Sequence, residues 1–230
     1  MFKYKYLMNI LLFVVVINGE QDICDYSDKE CVYNAAKTVY PKMVAGMEGV
    51  ETSDPLHKDE IVVTLPRFSY KLHNVTMTGI KDSDFKYINF FKNGTFTFGI
   101  EVPVTKIQSY YDIHGQLDEM VLQGEGACEI TYYDHKLDFI GAYYTSKDVV
   151  DKKIHNYIGD FIFLSEVRGK SAFNYENLKN NDSELTENEL KKLDATVHEH
   201  IITEFLQKHI NNIDDYLRII PFNEVNGRSN

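Results

Sequence analysis

The chain has 230 residues, and 24 Lys and Arg stand against 35 Asp and Glu, for a formal net charge of −11. A chain this acidic is repelled by phosphate backbones and anionic membrane surfaces, and no dense Lys/Arg patch offsets the effect. Nucleic acid is therefore excluded as an expected partner.

The first residues, Met1-Phe2-Lys3-Tyr4-Lys5, are basic, and Leu7 to Ile17 is apolar except for Asn9. Eleven helical residues cover about 16 Å, too little for a hydrocarbon core of roughly 30 Å. The basic start, short apolar core and small Gly19 fit a cleaved signal peptide over residues 1–19. A short buried helix is the alternative reading. No later segment approaches the ~18 apolar residues of a spanning helix, so no stable membrane insertion is expected. Removing Lys3 and Lys5 with the leader leaves 22 basic against 35 acidic residues, a charge of −13. Residues 20–230 suit a single domain, expected as an extracellular monomer.

Three cysteines follow the leader. Cys24 and Cys31 can close a small loop in an oxidising compartment, tying the N-terminus to the first helix. A metal or redox site would need Cys-x-x-Cys spacing or a second ligand pair, and the sequence has neither. Cys128 reads as a small buried hydrophobe, with a disulfide-linked dimer as the alternative. The sequons Asn74-Val75-Thr76, Asn93-Gly94-Thr95 and Asn181-Asp182-Ser183 suit the same compartment, each requiring a surface position to be glycosylated.

Ser27-x-x-Glu30 has capping-box spacing and predicts a helix with Val32, Ala35, Ala36 and Val39 on one side. Pro41 is expected to kink or end it. Met43, Val44 and Met47 suggest a further turn, and Gly46 and Gly49 its end. Asp54-Pro55 reads as a turn. A hairpin is predicted over 85–102, because Asn93-Gly94 joins two alternating runs and both residues tolerate positive φ. Further strands are expected at 58–65, 67–79, 108–122, 125–134, 137–145 and 154–168, rich in Tyr, Phe, Ile, Val and Thr. Thr186-x-x-Glu189 repeats the capping box. Leu190, Leu193, Val197, Ile201 and Phe205 then form an apolar stripe on a helix reaching Ile210, or Leu217 with a break at Asn211-Asn212.

The predicted fold is α+β: a short helix, consecutive antiparallel strands, then one long helix. The sheet is the only large surface on which that helix can bury its stripe. A strongly curved sheet wrapped around it satisfies both faces and leaves room for an apolar cavity.

Enzyme signatures are sparse. The chain has no Gly-x-Ser-x-Gly elbow and no phosphate-cradling Gly-x-x-x-x-Gly-Lys-Ser/Thr. Gly124-Glu125-Gly126 lacks the third glycine of a dinucleotide fingerprint and reads as a bend or close backbone approach in a strand. His198, His200 and Glu204 are the best metal candidates. His200 and Glu204 share a helix face, but His198 lies about 200° from His200. The histidines are therefore expected as solvated or core-edge groups. Asp118-Glu119 and Asp214-Asp215 read as solvated acids whose side chains diverge. No catalytic, cofactor or metal residue is assigned.

The ordered fragments resemble the insect takeout and juvenile-hormone-binding protein family, from about Cys24 to Val225. They include Cys24 and Cys31, a helix ending near Gly46, and Asp54-Pro55-Leu56. Leu72-His73-Asn74-Val75-Thr76-Met77-Thr78-Gly79-Ile80 is similar to a family strand ending Val-x-Gly-Leu. Val102-Pro103 and Tyr111-x-x-x-Gly115-x-Leu117 continue the order. Met120-Val121-Leu122-x-Gly124-x-Gly126 is similar to Leu-Pro-Ile-x-Gly-x-Gly, with Val121 in the proline's place. The family's Asn-Gly-Asp stretch before the final helix has its nearest counterpart in Ile158-Gly159-Asp160. The resemblance implies a long C-terminal helix wrapped by a curved antiparallel sheet, an elongated apolar tunnel and a Cys24–Cys31 disulfide. It also implies a carrier of juvenile hormone, another terpenoid or a fatty acid. No ligand-contact residue is carried over. The alternative is an extracellular interaction or immune-recognition module that binds lipid incidentally. An esterase would need a nucleophile, base and oxyanion site in one cleft.

Overall fold

A computed structural model of the chain describes residues 12–17, 20–25, 28–147 and 154–219. Leu12–Ile17 (β1) and Glu20–Asp25 (β2) pair antiparallel as a separate two-stranded ribbon. Leu12–Ile17 is thus extended, which is not the buried-helix alternative. Lys29–Ala45 is α1. Its N-cap is Asp28, whose carboxylate accepts from the Cys31 N–H at 3.0 Å, one residue later than the Ser27-x-x-Glu30 spacing predicts. Ser27 lies outside the described residues. Pro41 sits inside α1 without ending it, and the buried Tyr40, Met43 and Val44 anchor the turn that follows. Gly46 closes the helix.

The main sheet contains β3 (Leu56–Leu65), β4 (Phe68–Thr78), β5 (Asp84–Phe90), β6 (Thr95–Leu117), β7 (Met120–Lys147), β8 (Ile154–Val167), β9 (Ser171–Tyr175), β10 (Lys179–Asn180) and β11 (Ser183–Glu184). β6 and β7 form one long hairpin ladder from Thr95↔Ala142 to Leu117↔Met120. Along one edge β4 pairs with its lower part and β5 with its upper part. Along the other edge β8 pairs with the upper part of β7, and β9 and β10 with the lower. β3 extends the sheet beyond β4, and β11 extends it beyond β10.

The strands expected at 108–122, 125–134 and 137–145 are therefore redrawn. Asp118-Glu119 is the exposed two-residue turn of the β6–β7 hairpin, with Asp118 at φ 51°. The strand predicted to run to 122 instead reverses there. The breaks expected after 102 and after 134 are changes of pleat, not strand ends. On β6 the buried positions include Phe96, Phe98, Ile100 and Val102, then Thr105, Ile107, Tyr111 and Ile113. On β7 they include Leu122, Cys128, Ile130 and Tyr132, then His135, Leu137 and Phe139. The parity changes in both strands at one level, where Val102↔His135 and Val104↔Tyr133 flank Pro103 and Asp134. Pro103 has no N–H to give the ladder, and Asp134 adopts φ 52°. This seam turns the inward set over without breaking the ribbon.

Glu187–Ile219 is α2, 33 residues or about 50 Å long. Its start is the predicted capping box: the Glu189 N–H donates to Thr186 Oγ1 at 3.4 Å and the Thr186 N–H to Glu189 Oε2 at 2.7 Å. The break expected at Asn211-Asn212 is absent, because Asn212 is buried and its amide donates to the Thr52 carbonyl at 3.0 Å. α2 packs against β8, β3 and α1, and α1 packs on β5. The strongly curved antiparallel sheet thus wraps the long C-terminal helix, and among the described residues it does not close. One core cluster joins Leu193, Val197, Ile201, Ile202, Phe205 and Leu206 of α2 to the inner faces of β3, β4, β6 and β7. No described helix is long and apolar enough to cross a membrane.

Candidate functional site

The seam divides the interior into two chemically different ends. Above it, phenylalanines occupy the inward positions of β5, β6 and β7. Phe98 stacks on Phe139 at 4.3 Å between centroids, and on Phe96 and Phe85 at 6.1 and 6.2 Å. Phe85 meets Tyr40 of α1 at 5.3 Å. Phe96 leads outward to Phe90 and Tyr143, which meet edge to face at 5.1 Å. This ladder of rings runs from fully buried to half-buried. Its rim consists of the half-buried Ile88, Phe90, Tyr143, Ile158, Phe161 and Phe163 on β5, β7 and β8. The cover over the phenylalanine end is therefore incomplete.

Below the seam, tyrosines fill the interior and bond to one another or to their neighbours. The Tyr70 and Tyr175 hydroxyls lie 2.9 Å apart, and the Tyr111 ring stands edge-on to Tyr175 at 5.1 Å. The Tyr111 hydroxyl donates to the Glu176 carbonyl at 2.5 Å. The Tyr132 hydroxyl donates to the Asp194 carboxylate of α2 at 2.5 Å. Burial raises the Tyr70, Tyr132 and Tyr175 hydroxyls well above the usual phenol range, so each stays protonated and can donate. Cys128 is free and buried here, with Sγ 2.9 Å from Ser109 Oγ. Burial pushes its thiol up to about 11, the behaviour of the small hydrophobe expected. Gly124 and Gly126 let the loop carrying Asn177 approach β7. A Cβ on Gly124 would stand 2.7 Å from the Asn177 carbonyl, and Gly126 has φ 156°. The close-approach reading of that pair holds.

At the seam, Ser165 Oγ lies 2.7 Å from His135 Nε2 and 2.8 Å from His198 Nε2, while His135 Nδ1 meets Thr105 Oγ1 at 2.9 Å. A serine beside imidazole is the raw material of acyl transfer. Here, however, His135 is oriented by a hydroxyl rather than a carboxylate, and burial lowers its pKa to about 3. His198 is lowered by burial as well. Neither ring is a strong base, and the chain is a cross-tie between the sheet and α2. Burial raises Asp194 to about 6.

The residues singled out from the sequence are dispersed. His198 points inward to Ser165, His200 is exposed, and Glu204 pairs with Lys58 at 2.9 Å. Asp215 is exposed as expected, but Asp214 is buried, a correction to its solvated reading. Its Oδ1 accepts from the Ile158 N–H at 2.6 Å and its Oδ2 pairs with Arg218 at 2.6 Å, fastening α2 to β8. Asn74, Asn93 and Asn181 are all exposed, Asn74 and Asn181 with positive φ. Cys31 is half-buried at the start of α1, and the Cys24 side chain lies outside the described residues.

Sequence reading missed His209. It is fully buried on α2, with Nε2 3.2 Å from the Tyr40 hydroxyl and its ring 6.2 Å from Phe139. The signal was present, because Leu193, Val197, Ile201 and Phe205 recur every four residues and His209 is next. A hollow of about 680 Å³ lies at the tyrosine end beside Tyr110, Asp112, Gln123, Glu125, Glu176 and Lys179. Its charged lining does not suit an apolar guest.

The fold is similar to the crystal structure of Epiphyas postvittana Takeout 1, with a TM-score of 0.76 at 19% identity over 86% of this chain and 95% of that one. Lipopolysaccharide binding protein aligns with a TM-score of 0.43 at 8% identity, over 80% of this chain and 37% of that one. No curated protein matched the chain. The family model for haemolymph juvenile hormone binding protein matches residues 8–221. The chain belongs to the haemolymph juvenile hormone binding protein family.

Proposed function

We propose that the protein is a secreted, monomeric carrier that holds one small hydrophobic molecule in an elongated apolar tunnel at the phenylalanine end. The guest class is juvenile hormone, another terpenoid or a fatty acid, and no covalent step occurs. The observation that carries this reading is the buried phenylalanine ladder of β5, β6 and β7 running out to the half-buried apolar face of β5 and β8. Apolar side chains left partly uncovered around a buried ring ladder gain about 25 cal/mol per Å² when a guest covers them, less ordering costs. Family membership and the wrapped fold support the same reading. In this proposal the leader at 1–19 directs export, Cys24 bonds to Cys31, and Asn74, Asn93 and Asn181 accept glycans.

Native mass spectrometry of the deglycosylated protein, mixed with equal amounts of juvenile hormone, a long-chain fatty acid and a sterol, tests the proposal. One predominant one-to-one adduct is expected. No adduct, and no co-purified lipid, overturns it.

A second reading rests on the outer face of the same end. Ile162 and Leu164 of β8 are 62% and 60% exposed, next to the exposed Ile140 of β7. Such a patch suits an extracellular interaction or immune-recognition module with incidental lipid binding. Loss of partner capture on Ile162→Ser, with lipid binding intact, would favour it.

A further inference from the structure

The β7–β8 ladder has one weak level. It is regular from His135↔Val167 to Gly141↔Phe161, and it resumes at Tyr143↔Ile158. Ala142 therefore stands against two residues, Gly159 and Asp160, which makes a β-bulge with a glycine in it. Above the bulge only a short arm of β8, Ile154 to Ile158, continues the strand. A bulge interrupts the pairing and bends its strand, so the arm can turn there without breaking the ladder below.

α2 runs beside β8 with a polar tie at either end of their shared stretch. The lower tie joins His198 Nε2 to Ser165 Oγ at 2.8 Å. The upper tie is Asp214, whose Oδ1 accepts from the Ile158 N–H at 2.6 Å. His198 to Asp214 is about 24 Å of helix and Ser165 to Ile158 about 23 Å of strand, so the ties bracket matching lengths. Between them β8 presents the half-buried Phe161 and Phe163 on its inner face. The upper tie is braced from outside. Asp214 Oδ2 pairs with Arg218 at 2.6 Å, the Arg218 guanidinium lies 5.2 Å over the Tyr157 ring, and Tyr157 stacks on Tyr144 at 5.3 Å. The buried Asp214 carboxylate thus reaches the arm's backbone directly and the Tyr157 ring through Arg218. This charge-assisted contact sits where the strand pairing is interrupted.

We propose that Asp214 is the positioning residue of a gate: it latches the β8 arm to α2, and the arm swings at Gly159-Asp160 to admit and release the cargo. This rests on the carrier reading. The latch does not touch the cargo. It closes alike over an empty and a filled container, so it sets the barrier to exchange and leaves the equilibrium affinity alone.

The test is stopped-flow uptake and release of cis-parinaric acid, a fluorescent long-chain fatty acid, by the full secreted chain. Asp214→Ala should speed both rates about tenfold, the worth of one charge-assisted hydrogen bond, and keep their ratio. Asp214→Asn, which retains an acceptor for the Ile158 N–H but loses the ion pair, should fall between that variant and the wild type. Unchanged rates overturn the latch and leave the carrier reading standing. Faster release with unchanged uptake overturns it too, because a loss of affinity is what a merely structural role would give. No binding by the wild type overturns both readings. Amide hydrogen exchange on the wild type covers a variant that fails to fold: the Ile158 N–H should exchange faster than the ladder amides below the bulge. Equal protection overturns the hinge.

Discussion

The two ends of the β6–β7 ribbon bury similar lengths of strand by different chemistry. At the tyrosine end, ring positions are fixed by directional bonds, Tyr70 to Tyr175, Tyr111 to Glu176 and Tyr132 to Asp194. At the phenylalanine end Phe85, Phe96, Phe98 and Phe139 stack with no polar group to fix them, and the outer residues Phe90 and Tyr143 are half-buried. A hydroxyl pair holds its geometry because moving either ring leaves a buried polar group unpaired. A stacked phenyl ring loses only dispersion and burial when it moves, and a guest replaces both. One sheet can therefore be a rigid support below the seam and an adaptable container above it.

Truncation on the two sides gives the largest contrast. Tyr70→Ala removes a fully buried ring and leaves the Tyr175 hydroxyl without that partner. It should cost about 3–5 kcal/mol of folding stability, read by urea unfolding. Phe161→Ala, on the half-buried inner face of β8, should cost less, about 2 kcal/mol, because part of that ring is already in water. Its main effect should be weaker ligand binding. Equal stability losses would show that the two ends are packed alike and remove the container argument.

Acid acts on the seam and on the closed end of the ladder. Burial lowers His135 and His209 to about 3 and about 4, from the ordinary imidazole value of 6.5. Between the folded and unfolded values the unfolded chain binds more protons, so the stability these residues confer is complete above about pH 6.5 and is lost as pH falls. His198 adds in the same direction. Asp194 opposes it. Raised from 3.8 to about 6, it binds its proton more readily in the folded state and favours folding on acidification. Each of the two histidine shifts exceeds that of Asp194, so the net effect is destabilisation. The melting temperature should fall steadily from about pH 6.5 to pH 4, and His209→Leu should flatten part of the fall. A melting temperature independent of pH over that range would contradict the burial of these rings.

Much of the architecture was legible in the sequence because it rests on period. Four-residue recurrence from Leu193 to Phe205 marked the α2 stripe, and Thr186-x-x-Glu189 marked its start. Alternation marked the strands, and Asn93-Gly94 the β5–β6 turn, where Gly94 does take positive φ. The length of the ribbon was not legible, because period cannot distinguish a strand's end from a pleat turned over at Pro103 and Asp134. Nor was the turn at Asp118-Glu119, whose acids carry no glycine signal. The polar site groups were hidden for a further reason. Ser165, His135 and His198 come from three elements, and only the wrapping of the sheet around α2 brings them together. His209 continued the stripe, but period alone does not show that its ring meets the Tyr40 hydroxyl of α1.

The smallest predicted effect is the sharpest test of independence between the ends. The Thr186 cap lies at the tyrosine end, where Glu189 also accepts from the Asn180 side chain of β10 at 2.6 Å. Thr186→Ala removes the side-chain acceptor for the Glu189 N–H and should cost about 1 kcal/mol of stability, seen as a modest drop in melting temperature. His209 lies 23 residues further along α2, about 35 Å away at 1.5 Å per residue. Loosening the first turn should therefore leave lipid affinity at the phenylalanine end unchanged. If affinity instead falls with stability, the helix transmits its N-terminal anchoring along its whole length. The container would then depend on the support rather than merely adjoin it.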